Sequence, residues 1–164
     1  MRITFKTPRL SVGPMTIDHT AFMFELLNSN GWIANIGDRN IQSMQDAAAY
    51  IEKINANPNY AYLVSHLEPG GAPIGLVTLI KRDYLEDHDI GFAVLPQHQQ
   101  RGYSYEAIKA YLDRIAQAGV CKKVVAITVP HNTGSIKLIE KLGLAYEKEM
   151  LENEVKLLVY GKFL

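Results

Sequence analysis

The 164-residue sequence has a single cysteine, Cys121, no excess of either charge and no long apolar run. One thiol cannot close an internal disulfide or furnish a cysteine-rich zinc site, so disulfide scaffolds and zinc modules are excluded and no metal is expected. Cys121 precedes the apolar run Val124–Val129 without an activating pattern, and reads as a small packing residue rather than a nucleophile. Lys and Arg number 17, and so do Asp and Glu. Nucleic-acid binders draw much of their affinity from a basic excess, so no nucleic-acid partner is expected. The first residues lack the apolar segment of a secretory leader and no stretch reaches membrane-span length, so a cytoplasmic location without membrane contact is expected. Pro and Gly are scattered as punctuation, with no linker and no repeat, so residues 1–164 are expected to form one domain. Hydrophobic residues make up 48% of the chain. A chain of this length buries roughly two-thirds of its unfolded surface.

What is present is a change of period along the chain. Arg9–Met15 reads as a strand ended by Gly13-Pro14. Asp18 is placed as N-cap of a helix carrying Ala21, Phe22, Phe24, Leu26 and Leu27. Residues 28–40 read as loop. Ser43 caps a second helix with Ala47, Tyr50, Ile51 and Ile54 on one face, and Asn57-Pro58-Asn59 stops it. Tyr60–Leu67, Pro73–Arg82 and Asp89–Leu95 then read as strands whose short connections make them antiparallel neighbours. Gly102–Ala118 is a helix closed by Gly119, Val124–Val129 a strand parallel to Asp89–Leu95 because a helix separates them, and Asn132–Leu142 a helix closed by Gly143. Leu144–Met150 and Val155–Phe163 finish as strands. The fold class is α+β: a mixed, mostly antiparallel sheet with helices on both faces.

The segment Pro96–Ala107 joins an apolar strand to a helix. A helix N-terminus presents unpaired backbone N–H groups and a partial positive charge, which together make an anion site. Gly102, lacking a Cβ, lets the backbone come close to a diphosphate. The three spaced glycines of a dinucleotide-binding turn are absent, and so is the Gly-Lys-Ser/Thr of a Walker A loop.

Gln99, Gly102 and Ser104 resemble motif A of the GNAT superfamily of N-acetyltransferases, Gln/Arg-x-x-Gly-x-Gly/Ala, with Ser104 where Gly or Ala is usual. The run Gly102-Tyr103-Ser104-Tyr105-Glu106-Ala107 is similar to that of the branch acetylating ribosomal-protein N-termini. Asn132, Ser135, Glu140, Lys141 and Gly143 resemble motif B of the same superfamily, with Leu144 replacing the usual Phe. Asn132 and Gly143 alone would describe any capped helix, but two motifs in this order form a signature. Thr7-Pro8-Arg9-Leu10 is similar to the start of these enzymes, so the likeness runs over nearly the whole chain.

The resemblance implies direct attack of an amine on the thioester of acetyl-CoA. It implies that Gln100, Arg101, Gly102, Tyr103, Ser104 and Tyr105 grip the pyrophosphate, that free backbone groups of Phe92, Ala93, Val94 and Leu95 pair with pantetheine and thioester, and that Asn132 lies beside the cofactor. Many relatives protonate the thiolate with a tyrosine of the second motif's helix; Ile139 stands there. Ser135 and Tyr146 are the replacement candidates, and Asp89, at an acidic position before Ile90-Gly91, is the candidate base. Asp89 also reads as a turn carboxylate, His66 and His88 as solvated histidines. By analogy residues 28–43, with Trp32, Ile33, Asn35 and Arg39, cover the acceptor.

A free-energy comparison bears on the acceptor. An α-amine of pKa ~7.8 is about one-third neutral at pH ~7.5, whereas a lysine amine of pKa ~10.4 is about 0.1% neutral, a handicap of roughly 3.3 kcal/mol. A chain with no evident strong base therefore suits an α-amine, as at a protein N-terminus, or another weakly basic amine. A small-molecule amine acetyltransferase and a non-catalytic acyl-CoA-binding module remain as alternatives, and one sequence leaves the oligomeric state open.

Overall fold

The computed structural model describes all residues from Met1 to Leu164. Eight strands form one sheet in the order β1-β2-β3-β4-β5-β6-β8-β7. They are β1 (Phe5–Lys6), β2 (Leu10–Pro14), β3 (Tyr60–Leu67), β4 (Pro73–Ile80), β5 (His88–Val94), β6 (Lys123–Thr128), β7 (Ala145–Glu152) and β8 (Val155–Phe163). Five α-helices accompany them: α1 (Thr20–Leu27), α2 (Asn30–Asn35), α3 (Met44–Ala56), α4 (Tyr103–Gln117) and α5 (Thr133–Lys141). All pairings are antiparallel except β5–β6. The expected mixed, mostly antiparallel α+β architecture is therefore what forms.

Alternation along the central strands builds two cores, since successive side chains of a strand point to opposite faces. Ala61 and Leu63 of β3 join Val77 and Leu79 of β4 under α4, whose Ile108, Tyr111, Leu112 and Ile115 are buried there. Tyr62 and Val64, with Leu76 and Ile80, face the other way onto Phe22, Met23 and Leu26 of α1 and Ile51 and Ile54 of α3. The sheet is thus held between two helical layers, with α4 and α5 on the face opposite α1 and α3.

Local chemistry sets the element ends. Ser43 caps α3 by a reciprocal box with Asp46: Ser43 Oγ accepts from the Asp46 amide at 3.1 Å and Asp46 Oδ2 from the Ser43 amide at 2.8 Å. Two local expectations are corrected. Asp18 lies within a 3₁₀ turn, Ile17–His19, whose N-cap is Thr16, because the chain turns one step earlier than the apolar period suggests. Residues 30–35 are the short helix α2, started by Ser29, whose hydroxyl accepts from the Trp32 amide. Asn and Gly hide such a helix from a propensity reading, and burial of Trp32 stabilises it.

The 3₁₀ turn is tied to β3 through imidazoles. His19 Nδ1 accepts the Thr16 amide at 2.8 Å, and its Nε2 lies 3.3 Å from His66 Nε2. Burial, then repulsion from His66, lowers the His19 pKa, and burial lowers those of His66 and His88. An imidazole held below its unfolded value resists its proton in the native state. Its contribution is complete above the unfolded pKa of ~6.5 and is lost as pH falls below it. Urea unfolding should accordingly give falling stability from pH 7 to pH 5, with a shallower slope in a His19→Asn/His66→Gln double variant.

Candidate active site

β5 and β6 begin as a parallel pair at His88–Val124 and Asp89–Val125, and there the ladder ends. β5 stays paired to β4 as far as Val94, and β6 stays paired to β8 as far as Thr128. The two strands separate, and a cleft of about 530 Å³ lies along the freed part of β5. Phe92, Ala93 and Val94 of β5 line one wall, the start of α5 the other, and the turn into α4 the floor.

That turn is left-handed at two positions, Gln100 with φ 59° and Gly102 with φ 81°. Gly102 takes the N-cap position of α4, and no side chain caps this helix. Its first-turn amides therefore stay unclaimed by protein side chains at the cleft floor. The loop is braced from outside. Arg9 Nε donates to Glu106 Oε2 at 2.7 Å, and Arg9 Nη1 donates to the Arg101 carbonyl at 3.0 Å. Thr7 Oγ1 donates to Glu106 Oε1 at 2.6 Å, and the Arg9 guanidinium lies 4.7 Å from the Tyr103 ring centre. Burial pushes the Glu106 carboxyl up, but the hydrogen bond from Thr7 and then those from Arg9 keep it below the usual range.

Gln100, Gly102, Tyr103, Ser104, Tyr105, Asn132 and Ser135 all reach the cleft with the three β5 residues. Asn132 also caps α5, its Oδ1 accepting the Ser135 amide at 3.1 Å. Two cofactor candidates sit elsewhere: Leu95 is buried in the α1–α3 core, and Arg101 offers its carbonyl to Arg9 outside the lining. Two catalytic candidates are also apart from the cleft. Tyr146 is exposed on β7 against the edge of Tyr160, 5.7 Å between ring centres. Asp89 is 3% exposed and its Oδ2 accepts from Arg82 Nε at 2.7 Å. Burial pushes the Asp89 carboxyl upward, opposed by the Arg82 charge and by the Ile127 amide.

The lining also includes His98, Lys137, Leu138 and Lys141, which the sequence reading passed over. Helical spacing was the available signal for the last three, because residues 134, 137, 138 and 141 follow the i, i+3, i+4, i+7 spacing of one helix face, beside Ser135. Trp32, Asn35 and Ile36 of the α2 region close the other end, where an acceptor cover was expected. No Asp or Glu reaches the cleft surface. No cluster of three or more His, Cys, Asp or Glu side chains is placed to hold a metal, and no helix is long and apolar enough to cross a membrane.

A splayed parallel pair, an uncapped helix N-terminus at the floor of the cleft beside it and antiparallel strands on both sides define an acyltransferase-type α+β fold. The family model for the acetyltransferase (GNAT) domain matches residues 9–145, and the chain belongs to that family. The curated relative YnaD of Bacillus subtilis, an uncharacterized N-acetyltransferase, is 26% identical over 103 residues, 63% of this chain, and the match spans only 60% of that relative's length. A GNAT-family acetyltransferase from Bacillus anthracis superposes with TM-score 0.83 at 18% identity, covering 98% of both chains. RimL, a ribosomal L7/L12 alpha-N-protein acetyltransferase solved with coenzyme A, gives TM-score 0.85 at 12% identity over 99% of this chain and 98% of its own.

Replacing Gly102 tests the loop. A Cβ there would lie 3.4 Å from Arg9 Nη2, and the left-handed backbone disfavours any β-branched residue. Gly102→Val should cost about 1–2 kcal/mol in denaturant unfolding, and should weaken acetyl-CoA binding in calorimetry by more than it weakens the fold.

Proposed function

We propose that the protein transfers the acetyl group of acetyl-CoA to a primary amine, and that the acceptor is an N-terminal α-amine. The observation that carries this reading is the cleft at the β5–β6 splay, floored by the free amides of α4. The diphosphate takes those amides at Gln100, Gly102, Tyr103, Ser104 and Tyr105. The pantetheine arm then lies along β5, where the strand has lost its β6 partner at Phe92, Ala93 and Val94. A backbone N–H on this edge is positioned to stabilise the oxyanion as it forms on the thioester carbonyl.

The amine nitrogen attacks the carbonyl carbon, the carbon–sulfur bond breaks, and the sulfur leaves as thiolate. Ser135, on the first turn of α5 and inside the cleft, is the proposed proton relay: its hydroxyl gives a proton to that sulfur and takes the one the acylated nitrogen sheds, so that it ends neutral. The missing carboxylate supports the choice of acceptor. Without an anionic side chain, the cleft offers no strong base for a lysine and no counter-charge for a polycation. An α-amine needs neither, since about a third of it is neutral near pH ~7.5. RimL, whose name specifies α-N acetylation, shares this fold at low identity.

Acetyl-CoA at roughly a hundredfold over its Kd should stabilise the fold by about 2.7 kcal/mol in a thermal shift assay. Thiol release with N-terminal peptides should exceed that with N-blocked lysine peptides by at least tenfold. Binding without thiol release from any amine would instead establish a non-catalytic acyl-CoA module. Ser135→Ala should lower kcat by about a hundredfold with acetyl-CoA affinity little changed.

A further inference from the structure

Asp89 does not line the cleft, yet it sits where the β5–β6 ladder ends. It is the last residue of β5 that pairs with β6, through Val125. On its other side it pairs with Ile80, the last residue of β4, and Arg82 lies two residues further along the same chain. The Arg82–Asp89 ion pair, 2.7 Å long, has side-chain exposures of 30% and 4%. A carboxylate this deeply buried is costly unless it is paired, and removing one partner leaves an uncompensated charge. Tyr84, beneath the Arg82 guanidinium at 5.9 Å, and Tyr62 are the other titratable groups facing the pair. Beyond this point β6 makes no further pair with β5, whereas in a continued parallel ladder amides of β6 would donate to β5 carbonyls.

We propose that the Arg82–Asp89 pair is a pin that sets where β5 and β6 part, so that Asp89 is a positioning residue for cofactor binding and takes no proton from the amine. The pin ties Asp89, at the last paired position of β5, to the chain leaving β4. The ladder stops, and Phe92, Ala93 and Val94 keep a free edge. This inference rests on the proposed occupancy of the cleft by acetyl-CoA.

The test compares the wild-type protein with Asp89→Asn, Arg82→Met and the apolar double variant Asp89→Leu/Arg82→Met, since apolar replacement of both partners of a buried pair commonly preserves a fold. Acetyl-CoA affinity is read by calorimetry, kcat and KM by thiol release, and kcat/KM for the amine across pH 6–9. Each variant should raise the acetyl-CoA Kd by about tenfold, equivalent to 1.4 kcal/mol. At saturating acetyl-CoA, kcat should stay within about twofold of wild type, and the midpoint of the pH profile should not move. Loss of kcat with a displaced pH profile and unchanged Kd would make Asp89 the base and overturn the proposal. Unchanged Kd, kcat and pH profile in the folded double variant would also overturn it, leaving the pair a packing feature alone. Failure of the wild-type protein to bind acetyl-CoA would overturn the cofactor reading itself, a different outcome from wild-type binding that the variants retain.

Discussion

The constraint on which the molecule turns is that one pair of neighbouring strands stops pairing. Every other strand junction runs nearly its full length, but β5 and β6 share only His88–Val124 and Asp89–Val125. Forgoing further backbone hydrogen bonds in the middle of a sheet is costly unless other acceptors or a ligand take them up. Each strand keeps its outer partner, so the sheet tolerates the gap without losing either half. The floor of the opening is a helix start held in left-handed turns at Gln100 and Gly102. Strain of this kind persists where surrounding contacts over-determine it, and here the Arg9–Glu106–Thr7 brace does so from the outer side of the loop.

Much of this was legible in the residues. Period-2 alternation and turn residues marked β3 to its ends, and Ser43, Asn132 and Gly143 marked helix boundaries, because capping is local chemistry. The loop around Gly102 was legible through its motif. Less legible was whatever depends on distant contacts. Beyond the Ser29 cap little local distinguishes α2 from a loop, and burial of Trp32 against the α1–α3 core stabilises its helix. The Thr7–Arg9 brace reaches nearly a hundred residues along the chain to Glu106, a separation no window of sequence spans.

Asp89 shows the same limit at the site. Its place before Ile90-Gly91 marked it in the sequence, but the direction of its carboxylate is set by the ion pair with Arg82, just past the end of β4. Tyr146 likewise had a suitable hydroxyl, yet strand alternation on β7 turns it to the open side against Tyr160. Ser135 differs because α5 is short and capped at Asn132, which fixes its first turn against the cleft.

Trp32 adds a practical consequence. It is the sole indole in the chain, and it is packed at one end of the cleft. Its ultraviolet emission is therefore an intrinsic optical reporter, free of background from any second indole. Any change around Trp32 when a ligand is added can be followed in real time by mixing experiments without attaching a dye.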